Sequence, residues 1–142
     1  MPFTTQEKQA QLEQVPLFRD CNPEVLARLA EVTAEFALPA DGPIVQQGQI
    51  GNGLYIIVSG GARIVAGSEE LARLGAGDFF GELSVIDQRP RAATAFAIGD
   101  TVCLALASWD LVAVLEREPV LAMNLLKELA GRLRAADAQL RH

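Results

Sequence analysis

The sequence predicts a mainly β protein with flanking helices, a jelly roll or barrel entered through N-terminal helices and followed by a long C-terminal helix. Three observations carry that expectation. Short apolar runs such as Leu54–Val58 and Thr101–Ala107 are bounded by Gly53, Gly60-Gly61 and Gly99-Asp100, the pattern of buried strands divided by tight turns. Apolar residues at helical spacing occur near both ends, at Val25, Leu26, Leu29 and Val32 and again from Ala122 onward. Half of the 142 residues are hydrophobic, enough for one domain, 1–142, with a sizeable core. Many short strands with frequent turns favour a closed or double-layered β architecture.

Residues 1–33 are expected to form the opening helices. Thr5 to Val15 is a weak helical pattern rich in Gln and Glu. Asn22-Pro23 is a helix start, a capping amide followed by a proline suited to the first helical position. Residues 34–107 carry the β-rich part. The turn cluster Pro39-Ala40-Asp41-Gly42-Pro43 precedes the strand Leu54–Val58, on which Ala62 to Val65 is expected to pair back. Leu71 to Leu74, Ala92 to Ile98 and Thr101 to Ala107 complete the set, and Arg63 should point outward.

Residues 108–142 return to helix. Ser108 reads as an N-cap for a helix through Leu115 that stops near Pro119, with Trp109 as a core or hinge anchor. One long helix follows. Its residues Ala122, Leu126, Leu129, Leu133, Ala136 and Leu140 fall at alternating steps of four and three, which aligns a single apolar seam. That seam packs on its own β domain, or on a second copy, or in part on both.

The most informative stretch is Gly77-Asp78-Phe79-Phe80-Gly81-Glu82-Leu83-Ser84-Val85-Ile86, followed by Arg89-Pro90-Arg91-Ala92-Ala93-Thr94. Gly81 allows close backbone approach, and the apolar run after it is expected to be one short helix whose first amides are unpaired. Such amides, with the positive end of the helix dipole, attract phosphate oxygens. Arg91 adds a full charge and parallel donors that match two phosphate oxygens. Glu82 is acceptor-only when ionised, so beside an anion it suits hydroxyl donors such as those of ribose. A phosphate fork beside a sugar acceptor describes a nucleotide. Arg89 is expected to face solvent.

Residues 80–94 resemble the phosphate-binding cassette of cyclic nucleotide-binding domains, as found in regulatory subunits of cyclic-AMP-dependent kinases, cyclic nucleotide-gated channels and catabolite-activator-type regulators. Leu17-Phe18, Leu26, Leu29, the turn from Gly48 to Gly53, and Leu54-Tyr55-Ile56-Ile57-Val58-Ser59-Gly60 extend the likeness over nearly the whole chain. The resemblance implies a jelly-roll, or double-stranded β-helix, of the β-roll type. It implies phosphate contacts from Gly81, Leu83, Ser84, Arg91, Ala92 and Ala93, and a ribose contact from Glu82. Thr94 is either a phosphate-facing hydroxyl or simply a strand residue. Ile64 and Leu71 would form the apolar wall near base and sugar, and Leu133, Ala136 and Asp137 a lid. Ala92 stands where members favouring cyclic GMP commonly carry threonine, so cyclic AMP is the expected ligand and cyclic GMP the lesser one.

Composition narrows the alternatives. A net charge of −6 argues against direct nucleic-acid binding, which needs many Lys and Arg contacts to phosphates. Cys21 and Cys103 lack a metal-ligand spacing and are expected to be buried small hydrophobes. The sole histidine is His142, so neither a cupin-like metal site nor a Ser-His or Cys-His nucleophile can be assembled, and no cofactor is expected. No run is apolar enough for a signal peptide or a bilayer span, which points to a cytoplasmic protein without membrane insertion. Two non-enzymatic functions follow: a sensor that passes occupancy to an unknown protein effector, with a possible homodimer through the last helix, or the effector half of a transcription regulator whose helix-turn-helix lies beyond Leu140. A regulatory piece of a channel or transporter is a third.

Overall fold

A computed structural model describes residues 3–48, 53–81 and 91–140. Helix α1 (Thr5–Glu13) starts from a capping box that the sequence reading had not identified: Thr4 Oγ1 accepts from the Glu7 N–H at 3.1 Å while Glu7 Oε1 accepts from the Thr4 N–H at 3.0 Å. A 3₁₀ turn, Pro16–Phe18, leads to helix α2 (Pro23–Val32), where Asn22 Oδ1 accepts from the Glu24 N–H at 2.9 Å as its spacing predicts. Leu26 and Leu29 are buried, but Val32 is exposed at the helix end.

The strands are β1 (Ala34–Leu38), β2 (Pro43–Val45), β3 (Gly53–Ala66), β4 (Glu69–Gly75), β5 (Phe79–Phe80) and β6 (Thr94–Ala107). They form one antiparallel sheet in the order β1-β6-β3-β4, with β2 paired to β6 and β5 to β3. Two expectations change here. Ala62–Val65 does not fold back on Leu54–Val58 but continues the same strand, and the two strands expected in 92–107 are one. The glycines kink strands rather than end them. Between the pairs Ser59↔Val102 and Gly61↔Ile98, β3 contributes Gly60 while β6 contributes Gly99, Asp100 and Thr101, a bulge. Gly60 has φ +82°, and a Cβ there would lie 2.6 Å from the Asp100 carbonyl oxygen. The buried Thr101 hydroxyl satisfies the interrupted ladder, accepting from the Gly61 N–H at 3.2 Å and donating to the Gly61 carbonyl at 3.0 Å.

Helix α3 (Ser108–Arg117) follows β6 directly. Ser108 is therefore the first helical residue and not the cap; Ala107 holds that position with no side-chain hydrogen bond. Trp109 is 69% exposed, against the anchor role expected of it, because α3 buries the side carrying Leu111. Helix α4 runs Pro119–Leu140 as one piece, as expected. It packs on its own fold through Leu121 and Leu125, whereas seam residues Leu126 and Leu133 are 58% and 72% exposed. Leu129 is half-buried. The Leu140 side chain lies outside the described part.

Strand alternation divides the interior. Leu54 and Ile56 of β3 and Leu104 and Leu106 of β6 join a cluster with Leu12, Phe18, Leu26, Leu29, Leu111, Leu121 and Leu125 from the helices. Ile57 and Cys103, one residue out of phase, join Ala62, Phe80 and Ala95 in a second cluster inside the roll. Both faces of these strands are buried, which explains their unbroken apolar runs.

Candidate functional site

Beside the smaller cluster lies a cavity of about 880 Å³, within the range of sites that enclose small ligands. It is lined by Val45, Ile64, Leu74, Phe80 and Ala95, and by Leu71 and Ala72 of β4. Gly81 and Arg91 to Thr94 form the end wall. Leu129, Arg132, Leu133, Ala135 and Ala136 of α4 complete the described lining.

Arg91 is 7% exposed and lines this cavity. Its Nη2 donates to the Gly53 carbonyl at 3.1 Å, its Cζ lies 5.9 Å from the Tyr55 ring centroid, and its own carbonyl accepts from the Gly48 N–H at 2.9 Å. Gly81, with φ +95°, lies directly beside it: a Cβ would stand 2.7 Å from Arg91 Nη1 and 2.8 Å from the Gly53 oxygen. The glycine needed for close backbone approach thus makes room for the guanidinium. Among the described lining residues the ionisable groups are Arg91 and Arg132, two cations in a chain of net charge −6.

The structure brings most of the sequence-predicted site together. Gly81, Arg91, Ala92, Ala93, Thr94, Ile64, Leu71, Leu133 and Ala136 all line the one cavity. Asp137 is exposed on α4 and is not among the lining residues. The Thr94 hydroxyl accepts from the Gln47 N–H at 2.9 Å, which ties β6 to the segment after β2. Glu82, Leu83 and Ser84, the short helix expected after Gly81, and Arg89 lie outside the described residues. Arg63 alternates with the buried Ala62 and the cavity-lining Ile64 and so lies on the outer face, as expected, half-buried with its Cζ 5.0 Å from the Phe96 ring centroid.

Arg132 is the main lining residue that the sequence reading missed. Its Nη2 donates to the Phe79 carbonyl at 2.7 Å, its Cζ sits 4.5 Å from the Phe79 ring centroid, and its Nε pairs with Glu128 at 3.5 Å. The two contacts with Phe79 fasten α4 to β5, and the Glu128 pair lies within α4. A signal was present: Arg132 stands three residues after Leu129 and four before Ala136, on the lid face of the helix. Phe80, Leu74 and Val45 were missed as lining because isolated apolar residues in strands carry no mark of which cavity they face.

Among the described residues no group of three or more His, Cys, Asp or Glu is placed to hold a metal ion, and no helix is long and apolar enough to cross a membrane. Residues 35–118 match the cyclic nucleotide-binding domain family. A cyclic AMP receptor protein of Thermus thermophilus is 40% identical over 130 residues, which is 88% of this chain and 60% of that protein. A cAMP-dependent protein kinase regulatory subunit of Aspergillus fumigatus is 35% identical over 94 residues, 65% of this chain and 23% of that one. The crystal structure of the Thermus thermophilus catabolite activator protein superposes with TM-score 0.78 at 40% identity, covering 89% of this chain and 62% of its own. The chain thus spans about three fifths or less of the length of these relatives. With residues 35–118 matched and the roll and its cavity described, the chain belongs to the cyclic nucleotide-binding domain family.

Proposed function

We propose that the chain is one domain that binds cyclic AMP, and cyclic GMP less well, in the cavity under α4, and relays occupancy through α3 and α4 without turning the ligand over. The observation that carries this is a buried arginine, Arg91, on the wall of a cavity whose other described lining is largely apolar. A guanidinium there binds the cyclic phosphate through parallel charge-assisted bonds. Gly81, Leu83, Ser84, Ala92 and Ala93 complete the phosphate cradle, and Glu82 accepts from the ribose hydroxyl. Ile64 and Leu71 hold base and sugar, while Leu133 and Ala136 cover them. Ala92 offers no hydroxyl to a guanine amino group, which favours adenine.

Titration calorimetry with cyclic AMP, cyclic GMP and AMP tests the assignment. Cyclic AMP should bind most tightly, and Arg91→Leu should weaken it by about 2–5 kcal/mol, chiefly through faster release. Unchanged affinity in that variant removes Arg91 from the site, normal binding by Glu82→Ala removes the ribose role, and cyclic AMP consumed on incubation refutes binding without turnover.

The relay acts on a second copy or on a protein effector. Leu126 and Leu133 leave an apolar stripe of α4 exposed, which suits a homodimer. Light scattering should then report a dimer that Leu126→Asp dissociates; a monomer in both cases ends the dimer proposal. The superposition on 62% of the Thermus activator supports a second reading, the effector half of a transcription regulator. The open reading frame around these residues decides it: a helix-turn-helix after α4 supports the regulator, and an in-frame stop there refutes it.

A further inference from the structure

Tyr55 lies in β3 opposite Phe80 of β5, and the two rings stack with centroids 5.4 Å apart and planes 7° from parallel. Phe80 faces the cavity. Tyr55 also meets the half-exposed Phe36 of β1, with ring centroids 6.3 Å apart. The Arg91 guanidinium carbon is 5.9 Å from the same Tyr55 ring centroid, while Arg91 Nη2 is held by the Gly53 carbonyl two residues earlier in the same strand. One short piece of β3 therefore meets the guanidinium twice, through a carbonyl and through an aromatic ring.

We propose that Tyr55 is a positioning residue for Arg91, fixing the guanidinium at the cavity wall so that it meets an anionic ligand already oriented. The inference rests on the assignment of the cavity to a cyclic nucleotide. An aromatic face attracts a cation through its quadrupole without using an N–H donor. The ring is neutral, as is the Gly53 carbonyl, so these two contacts act on the orientation of the guanidinium and add no opposing charge of their own. Stacking on Phe80 holds the ring itself, since a stacked aromatic pair adds attraction beyond the area it buries. Tyr55 meets Arg91 and is not among the residues that line the cavity, so it acts through position.

The test is binding of cyclic AMP and of adenosine, which lacks the phosphate, each measured by competition against a fluorescent cyclic nucleotide on the full chain. Tyr55→Leu should weaken cyclic AMP by about two- to tenfold, the range of a modest cation–π contact, and leave adenosine within twofold. Tyr55→Phe, which keeps the ring, should bind both as the wild type does. Equal weakening of both ligands would assign Tyr55 only to the cavity floor beneath Phe80 and overturn the proposal, as would an unchanged affinity for cyclic AMP. If circular dichroism shows Tyr55→Leu unfolded, Tyr55→Met is read by the same criteria. Wild-type protein that binds no cyclic nucleotide overturns the ligand assignment and this inference with it, an outcome distinct from a bound wild type and an unaffected variant.

Discussion

Strands β3 and β6 carry two buried clusters on their two sides, and the clusters differ in side-chain size. Against the helices stand Leu54, Ile56, Leu104 and Leu106, packed with Leu12, Phe18, Leu111 and Leu121. Inside the roll stand Ala62, Ala95 and Cys103 beside Ile57 and Phe80. The backbone pattern is the same on both sides; the volume is not. Large side chains close one side into a solid core, while on the other side Phe80 and Ala95 border a hollow of about 880 Å³. A binding domain needs both, because a cavity persists only if the surrounding fold is stable without the contacts that the cavity omits. Helix α4 joins the two regions, with Leu121 and Leu125 in the solid core and Leu129 to Ala136 over the hollow.

Three substitutions sharpen the contrast. Leu104→Ala in the solid core should cost about 2–5 kcal/mol of stability in a urea titration, since rigid neighbours cannot fill the void. A cost below about 1 kcal/mol would mean that side is no more tightly packed than the other. Gly81→Ala, at the rim of the hollow, should cost about 1–3 kcal/mol, because φ +95° is strained for any Cβ and the new atom meets Arg91 Nη1 and the Gly53 carbonyl. The same change should weaken cyclic AMP binding by displacing the guanidinium, and a variant with native affinity would show that Arg91 tolerates the shift.

Cys103→Ala, in the smaller cluster, should have the least effect near neutral pH, about 1 kcal/mol. Its signature lies at alkaline pH. Burial pushes the Cys103 thiol up to about 11 from 9.0, because a thiolate would lose its hydration inside the roll. Between those values the unfolded chain gives up the proton while the folded chain keeps it, so stability present below pH 9 falls as pH rises toward 11. Urea midpoints measured across that window should fall more steeply for the wild type than for Cys103→Ala. Parallel slopes would show that Cys103 contributes nothing to the alkaline loss.

Much of the fold was legible because it rests on local chemistry. Asn22 before Pro23 and the break at Pro119 mark helix limits through capping and a missing N–H, and neither depends on distant residues. The strands were legible as apolar runs but not in their connectivity. Gly60-Gly61 and Gly99-Asp100 look alike whether a chain reverses or kinks, and only the cross-strand pairing with its Thr101 hydroxyl makes them a bulge. Trp109 failed for a related reason: its neighbours Leu111 and Val112 suggested a core, but which side of α3 faces inward depends on what α3 packs against.

Local chemistry was enough to read the family and the β-rich centre between helical ends and to single out Arg91 and Gly81 as candidates for one site, because a turn glycine and a fork of charge carry their meaning wherever the chain takes them. Tertiary structure alone decided that Arg91 rests against Tyr55 and the Gly53 carbonyl, that Arg132 fastens α4 to β5, and that Leu121 and Leu125 are buried while Leu126 and Leu133 are exposed. Those are contacts between residues far apart in the chain. Their existence depends on register and helix rotation, which no local spacing of residues specifies.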